Sequence, residues 1–403
     1  MSDLTTMTPA INPDRDGDVL LEERLANVVR TYDAQGDHRT GSATDGAAAD
    51  WLSRAVEVFG LQANLESFAL QRLDPADCHL RLGNRRIDGM PLLDGGQTPS
   101  AGVPGYLGTE ESPGAIVLTV VRTGLPGHGE RHAGHSLDEL RRRNVGGIVA
   151  VTRGTREGLS LMNASNFGTP FGPPVLQVSS VEERWLMEQA TARAPATLTV
   201  GFERRNATAS NVCATVAGTQ PHLPSVVVST PRSGWWQCAS ERGGGLACWL
   251  ETLRALTKTR PRRDCHFVAF SGHELGLLGI KNYLARQPER MLRTHAWIHF
   301  GANLGAPRER VRLQTADPAL AGNAASFLRD EGVSNVEHVG PDVAPRGEAG
   351  VLKRQGMRFI APICASDVFH HPSDRWPEAV DIAALARIAK AYVAMALHLA
   401  AET

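Results

Sequence analysis

Four short stretches of this sequence concentrate the residue types that do chemistry, and each directly follows an apolar run of strand length. Pro231 to Gly245 carries Arg232, Trp235, Trp236, Cys238 and Glu241; Ser271 to Gly276 carries His273 and Glu274; Ser366 to Asp374 carries His370; Gly301 to Gly305 is nearly bare. Glu241, Glu274 and His370 supply two hard carboxylates and one imidazole. That donor set holds one divalent cation, zinc by preference, and leaves a coordination position for water. The plainer reading makes the same three residues partners in a polar network with Arg232 or Arg242, whose guanidinium neutralises carboxylates in place of a metal. His273 is either the proton-transfer group, as imidazole's titration range allows, or a buried hydrogen-bonding residue. Cys238 is an alternative nucleophile if His273 or His370 takes its proton, against the commoner role of a free cysteine as inert packing. Trp235 and Trp236 form an aromatic wall for a ligand or cap the core, and Arg232 is a candidate anchor for a substrate carboxylate.

For these groups to meet, the apolar runs before them must lie side by side. Ser225 to Thr230, Cys265 to Phe270, His295 to Phe300 and Arg358 to Cys364 read as short buried strands, and helical spacing occupies Leu246 to Leu256, Leu275 to Ala285, Pro318 to Leu328 and Pro377 to Leu399. Alternation of this kind predicts an α/β fold, a mostly parallel sheet between helices, with ligands bound beyond the carboxyl ends of its strands. Two further helices, Val19 to Tyr32 and Asp45 to Phe59, flank a loop from Gly36 to Gly46. Between these parts the text changes. A strand-like alternation at Ala63 to Leu70 is followed by a Gly/Pro-rich region to about residue 110, then a strand (Ala115 to Val121), a helix (Ser136 to Asn144) and a strand (Gly147 to Val151). This middle stretch reads as a smaller β-rich α/β module ending near residue 215.

A length of 403 residues suits one large domain plus a smaller one. With 42 Lys and Arg against 43 Asp and Glu, the chain has no field to attract phosphate backbones, so no nucleic-acid partner is expected. No apolar stretch is expected to cross a membrane, and the polar start lacks the basic and apolar regions of a signal peptide, so a cytoplasmic location is expected. Six scattered cysteines without a C-x-x-C pair predict reduced thiols. The histidines between His128 and His135 read as a solvated loop rather than a metal site, and Arg141 to Arg143 as a solvated helix face.

Ser42 in Arg-Thr-Gly-Ser, the strand Val226-Val227-Val228, the Gly-rich turn into a helix, the run FSGHELGLLG from Phe270 to Gly279 and FHHPSD from Phe369 to Asp374 together resemble the co-catalytic zinc aminopeptidase family. Glutaminyl cyclases and transferrin-receptor-type proteins are among its relatives. The resemblance covers essentially the whole chain, and Val117 to Val151 resembles the protease-associated domain often inserted in it. It implies a leader at 1–13, an aminopeptidase-like domain from 14–75 and 216–403, and an inserted module at 76–215, with which a homodimer is compatible. Carried over by position, the family's first histidine ligand falls on Pro231 and its orienting aspartate on Ser233. The bridging aspartate falls on Glu241, the Glu-Glu pair on His273 and Glu274, the next aspartate on Gly301, and the last histidine on His370.

Both ligands private to one zinc are thus lost, at Pro231 and Gly301, while Glu241, Glu274 and His370 remain for the other. The resemblance implies a single metal, as in the glutaminyl cyclase branch, with His273 in the proton shuttle's place. Glu348 lies where the family places residues facing the substrate amine; an acidic residue beginning a surface helix is the plainer account. The function expected is a hydrolase or cyclase acting on an amide or other C–N bond of a small molecule or short peptide, with at most one metal ion and without ordinary aminopeptidase activity. The alternatives are a non-catalytic binding or scaffold protein and a metal-free cysteine hydrolase using Cys238.

Overall fold

The four apolar runs do become neighbouring strands. In a computed structural model describing residues 18–123, 131–132, 135–288, 293–308, 310–340 and 343–402, the main sheet runs in the order Val336–Val339, Val311–Gln314, Phe359–Cys364, Thr294–His299, Ser225–Pro231, Cys265–Phe270, Pro195–Val216. Ser225–Pro231 pairs in parallel with strands on both sides and is buried along its whole length, as a strand covered on both faces must be. Alternate residues serve the two layers. Val226, Val228, Ile298 and Ile360 join a core with Trp249, Phe300 and Tyr392 under the helices Asp18–Asp33, Gly244–Thr257, Pro318–Asp330 and Ile382–Ala401. Val227, Val268, Trp297 and Phe359 face the helices Leu278–Arg286 and Gly347–Arg354.

The last helix corrects an expectation. Ile382–Ala401 is long and apolar enough, by length and composition, to cross a membrane. Its apolar face is core surface: more than half of the apolar window is buried, against Gly244–Thr257 and Pro318–Asp330. It begins later than the spacing suggests, because the Asp381 carboxylate caps it by accepting from Ala384 N. All six cysteines are buried and none forms a disulfide.

Two long strands, Asn64–Leu82 and Pro195–Val216, reach well beyond the alternation expected at Ala63 to Leu70. They pair antiparallel from Asn64↔Cys213 to Arg81↔Thr197, with a bulge between Pro75 and Cys78. Phe68, Leu70 and Leu73 of the first are buried, whereas residues 203–206 of the second are exposed on both sides, so there the ladder rather than a buried face defines the strand and no apolar alternation marks it. The expected junctions at 75/76 and 215/216 fall inside these two strands. Beyond them lie parallel strands Ile116–Arg122, Gly147–Arg153 and Val175–Ser179, with their own apolar clusters around Leu118, Val149 and Leu176 and around Ile148 and Leu140. Arg141 is not on a solvated face: it is buried against Asp94 at 3.0 Å and lies over Phe171. His128 lies outside the described residues.

The loop between the first two helices is fixed by an aromatic stack. His38 lies 3.7 Å from Tyr32, nearly parallel to it; its Nε2–H donates to Tyr32 O and its backbone pairs with Trp236 and Gly234. Burial pushes its titration from 6.5 down to about 3. The folded chain therefore refuses a proton that the unfolded chain accepts, so this contribution to stability is complete above pH 6.5 and lost progressively as pH falls toward 3. Urea unfolding between pH 7 and 4 is expected to show that slope, reduced by the uptake of one proton in His38→Gln.

Candidate functional site

The loops at the carboxyl ends of the parallel strands carry the polar residues inward. Cys238 has a left-handed backbone (φ 55) and starts a π-helical turn, Ala239–Gly243, that runs into the helix Gly244–Thr257. A Cβ on Gly244 would lie 1.9 Å from Leu304 O, so glycine is required for the turn to lie against the 301–305 loop. Asp374 fixes the turn from the other side, its carboxylate accepting from Ser240 N and Glu241 N.

Glu241 then meets a guanidinium. Arg242 Nη2 lies 2.5 Å from Glu241 Oε1, and both side chains are almost wholly buried. His370 Nε2 approaches the same oxygen at 3.2 Å, although none of these three atoms makes an aligned hydrogen bond. His370 has a strained left-handed backbone (φ 57). Its Nδ1 must carry a proton, because that atom lies 2.6 Å from the carbonyl of Leu161. In the neutral ring Nε2 thus turns a lone pair toward a carboxylate, a contact that needs a cation or a second ring proton. Burial would raise the Glu241 carboxyl, but the charges of Arg242 and His370 outweigh it and hold the group well below the usual carboxylate range.

Glu274 does not join them. Its Oε1 accepts from Thr40 N at 2.6 Å and its Oε2 from Ser233 Oγ at 2.8 Å. Ser233 Oγ in turn accepts from His273 N, and Thr40 Oγ1 from Gly272 N. Burial pushes the Glu274 carboxyl up, against these hydrogen bonds.

His273 pairs elsewhere. Its Nδ1 lies 2.9 and 3.0 Å from the two oxygens of Glu348, which is 2% exposed and so no surface helix start. His299 Nε2 stands 3.6 Å from the same carboxylate. Burial opposes ionisation of Glu348, yet His273 and His299 hold it well below the usual range.

The remaining expected residues serve the scaffold. Arg232 is no free anchor: it is buried against Asp45 at 2.8 Å and also donates to Asp45 O and Ser210 O. Trp235 is buried in a cluster with Leu161 and Ala164, and its indole donates to Asn163. Trp236, half-buried, donates to His370 O. Cys238 lies beside a carboxylate instead of an imidazole, its thiol 3.7 Å from Glu241 Oε2, and burial together with Glu241 pushes its titration well up. A thiolate is disfavoured there.

Residues 211–396 match the profile of peptidase family M28. That stretch is similar to a peptidase family M28 domain. Its fold is that of a zinc aminopeptidase from Bacillus subtilis (TM-score 0.76, 16% identity, 96% of this chain and 97% of that one). An aminopeptidase from Aneurinibacillus sp. strain AM-1 (TM-score 0.68, 17% identity, 93% of each chain) and a peptidase M28 precursor from Shewanella amazonensis (TM-score 0.70, 17% identity, 96% and 98%) are similar too. No curated protein matches the sequence. The chain thus has the fold of the zinc aminopeptidases, as its motifs led one to expect.

The donors of this site do not fit the zinc that the family resemblance and the Bacillus fold relative imply. Pro231 and Gly301 offer no ligand, both Glu274 oxygens already accept hydrogen bonds, and the oxygen shared by Glu241 and His370 has a guanidinium against it. Among the described residues no group of three or more His, Cys, Asp or Glu is arranged to hold a metal. Gly301 has no room for an aspartate: a Cβ there would lie 2.3 Å from Ile363 Cγ2. Gly301→Asp is expected to lower stability by roughly 1–3 kcal/mol from the clash alone without adding zinc affinity, as thermal melts with and without zinc would show. Asp45→Ala is expected to cost about 3–5 kcal/mol by stranding the buried Arg232 charge, measured by chemical denaturation.

Proposed function

We propose that this M28 domain is a metal-free pseudo-peptidase, a protein that uses the aminopeptidase fold to bind a small molecule or short peptide instead of cleaving peptides with zinc. The observation that carries the reading is the Arg242 guanidinium 2.5 Å from Glu241 Oε1. A guanidinium on the chain supplies the positive charge that keeps a buried carboxylate ionised. It has no coordination position to offer, so it neither ionises a water nor polarises a carbonyl as a Lewis acid would. The site is also covered by the chain itself: Leu161 N donates to His370 O, Ala164 N to Glu274 O, and Asn163 holds Trp235.

A second reading, a one-metal hydrolase or cyclase acting on a C–N bond, draws on His370. With Nδ1–H donated to Leu161 O, Nε2 has the tautomer of a metal ligand and lies 3.2 Å from a carboxylate oxygen. That reading requires Arg242 to withdraw.

Equilibrium dialysis of the full chain against zinc separates the two. No bound zinc, with no hydrolysis of aminoacyl p-nitroanilides in zinc or in chelator, is the expected result. Stoichiometric zinc that disappears in Glu241→Ala and His370→Ala would overturn it.

A further inference from the structure

The groups around Glu348 fix which nitrogen of His273 carries a proton. Trp297 Nε1 has only a hydrogen to give and donates it to Ser229 Oγ at 2.5 Å. The single Ser229 hydrogen is then free for His299 Nδ1, 2.9 Å away. His299 Nε2 faces Glu348 Oε2 at 3.6 Å. An ionised Glu348 only accepts, so His273 Nδ1 must donate to it, at 2.9 Å. The lone pair of neutral His273 is left on Nε2. Among the described residues that nitrogen has no hydrogen-bond partner, and it belongs to a side chain that keeps 11% exposure. Trp297, Ser229, His299 and Glu348 thus form a buried chain of contacts whose end result is an oriented, open imidazole nitrogen.

We propose that His273 Nε2, oriented by Glu348, is the base of a metal-independent site that hydrolyses activated acyl esters of small molecules. A carboxylate on one imidazole nitrogen fixes the tautomer and orientation of the ring and stabilises the imidazolium that forms when the other nitrogen accepts a proton. In the step, a water gives one proton to Nε2 as its oxygen bonds to the acyl carbon. The adduct expels the alcohol oxygen, which takes that proton back, leaving acid and alcohol and restoring His273. The substrate class follows from Arg242. With a guanidinium instead of a Lewis acid beside Glu241, nothing polarises a peptide carbonyl, whereas an ester with a good leaving group needs only the base. His273 is the catalytic residue and Glu348 a positioning residue. In choosing esters over peptides the proposal rests on the metal-free reading.

The probe is p-nitrophenyl acetate with the full chain, in chelator, next to nitrogen NMR of labelled histidine. His273→Asn retains an N–H donor for Glu348 while deleting Nε2, so the fold is held as the activity is tested. Expected are chelator-insensitive hydrolysis, its loss by about 100-fold in His273→Asn, and an Nδ1–H tautomer for His273 that is no longer fixed in Glu348→Gln. Hydrolysis unchanged in His273→Asn, or an Nε2–H tautomer in the unaltered chain, would overturn the proposal. Hydrolysis lost in chelator would overturn the metal-free reading as well, and zinc dialysis identifies that case separately.

Discussion

A buried carboxylate must be neutralised, and in this chain Arg242 does it for Glu241. Two unpaired charges at that depth would be far too costly, while a close pair recovers most of the desolvation through mutual attraction. The pair lies on adjacent residues of a π-helical turn, so partner and charge come into place together as the turn forms. A divalent cation would have to draw its ligands from several strand ends. The arginine requires none of them, which is why Pro231 and Gly301 are tolerable at positions where the family resemblance implies metal ligands.

The surroundings of that pair are built to the same end. Asp374 holds the turn through two backbone amides, and the glycines of the following helix let it close on the 301–305 loop. His370 is held in a strained conformation by a carbonyl from the middle segment, and the long paired strands carry that segment to the site. Glu274 is tied to Thr40 and Ser233. Each of these contacts satisfies a polar group from within the protein, as buried polar groups demand. In His273 the inner nitrogen is held by Glu348, and among the described residues the outer one has no partner.

The sheet and the strand ends were legible because buried parallel strands leave uninterrupted apolar runs, and the rule that ligands gather at their carboxyl ends picks out Glu241, Glu274 and His370. Their directions were not. Glu274 turns toward Thr40, 234 positions away in the chain, and no spacing encodes that. The arrangement of His273 and Glu348 likewise depends on a pairing across 75 positions, and His299 and Ser229, which complete it, lie inside what reads as plain strand. Arg242 was the one part of the substitution visible beforehand, because it adjoins Glu241. Of the paired strands at 64–82 and 195–216, the alternation at 63–70 was legible, while the second escaped because exposed polar residues fill its middle. Arg232 and Trp235 looked like pocket residues by type, and only burial reveals them as scaffold.

The central claim concerns which positive charge stands beside Glu241. Crystals grown from zinc-replete protein, with anomalous diffraction collected at the zinc edge, answer it directly. The account predicts guanidinium density against Glu241 Oε1 and no anomalous peak near it. A peak about 2.0–2.2 Å from both Glu241 Oε1 and His370 Nε2, with Arg242 turned away, would contradict it.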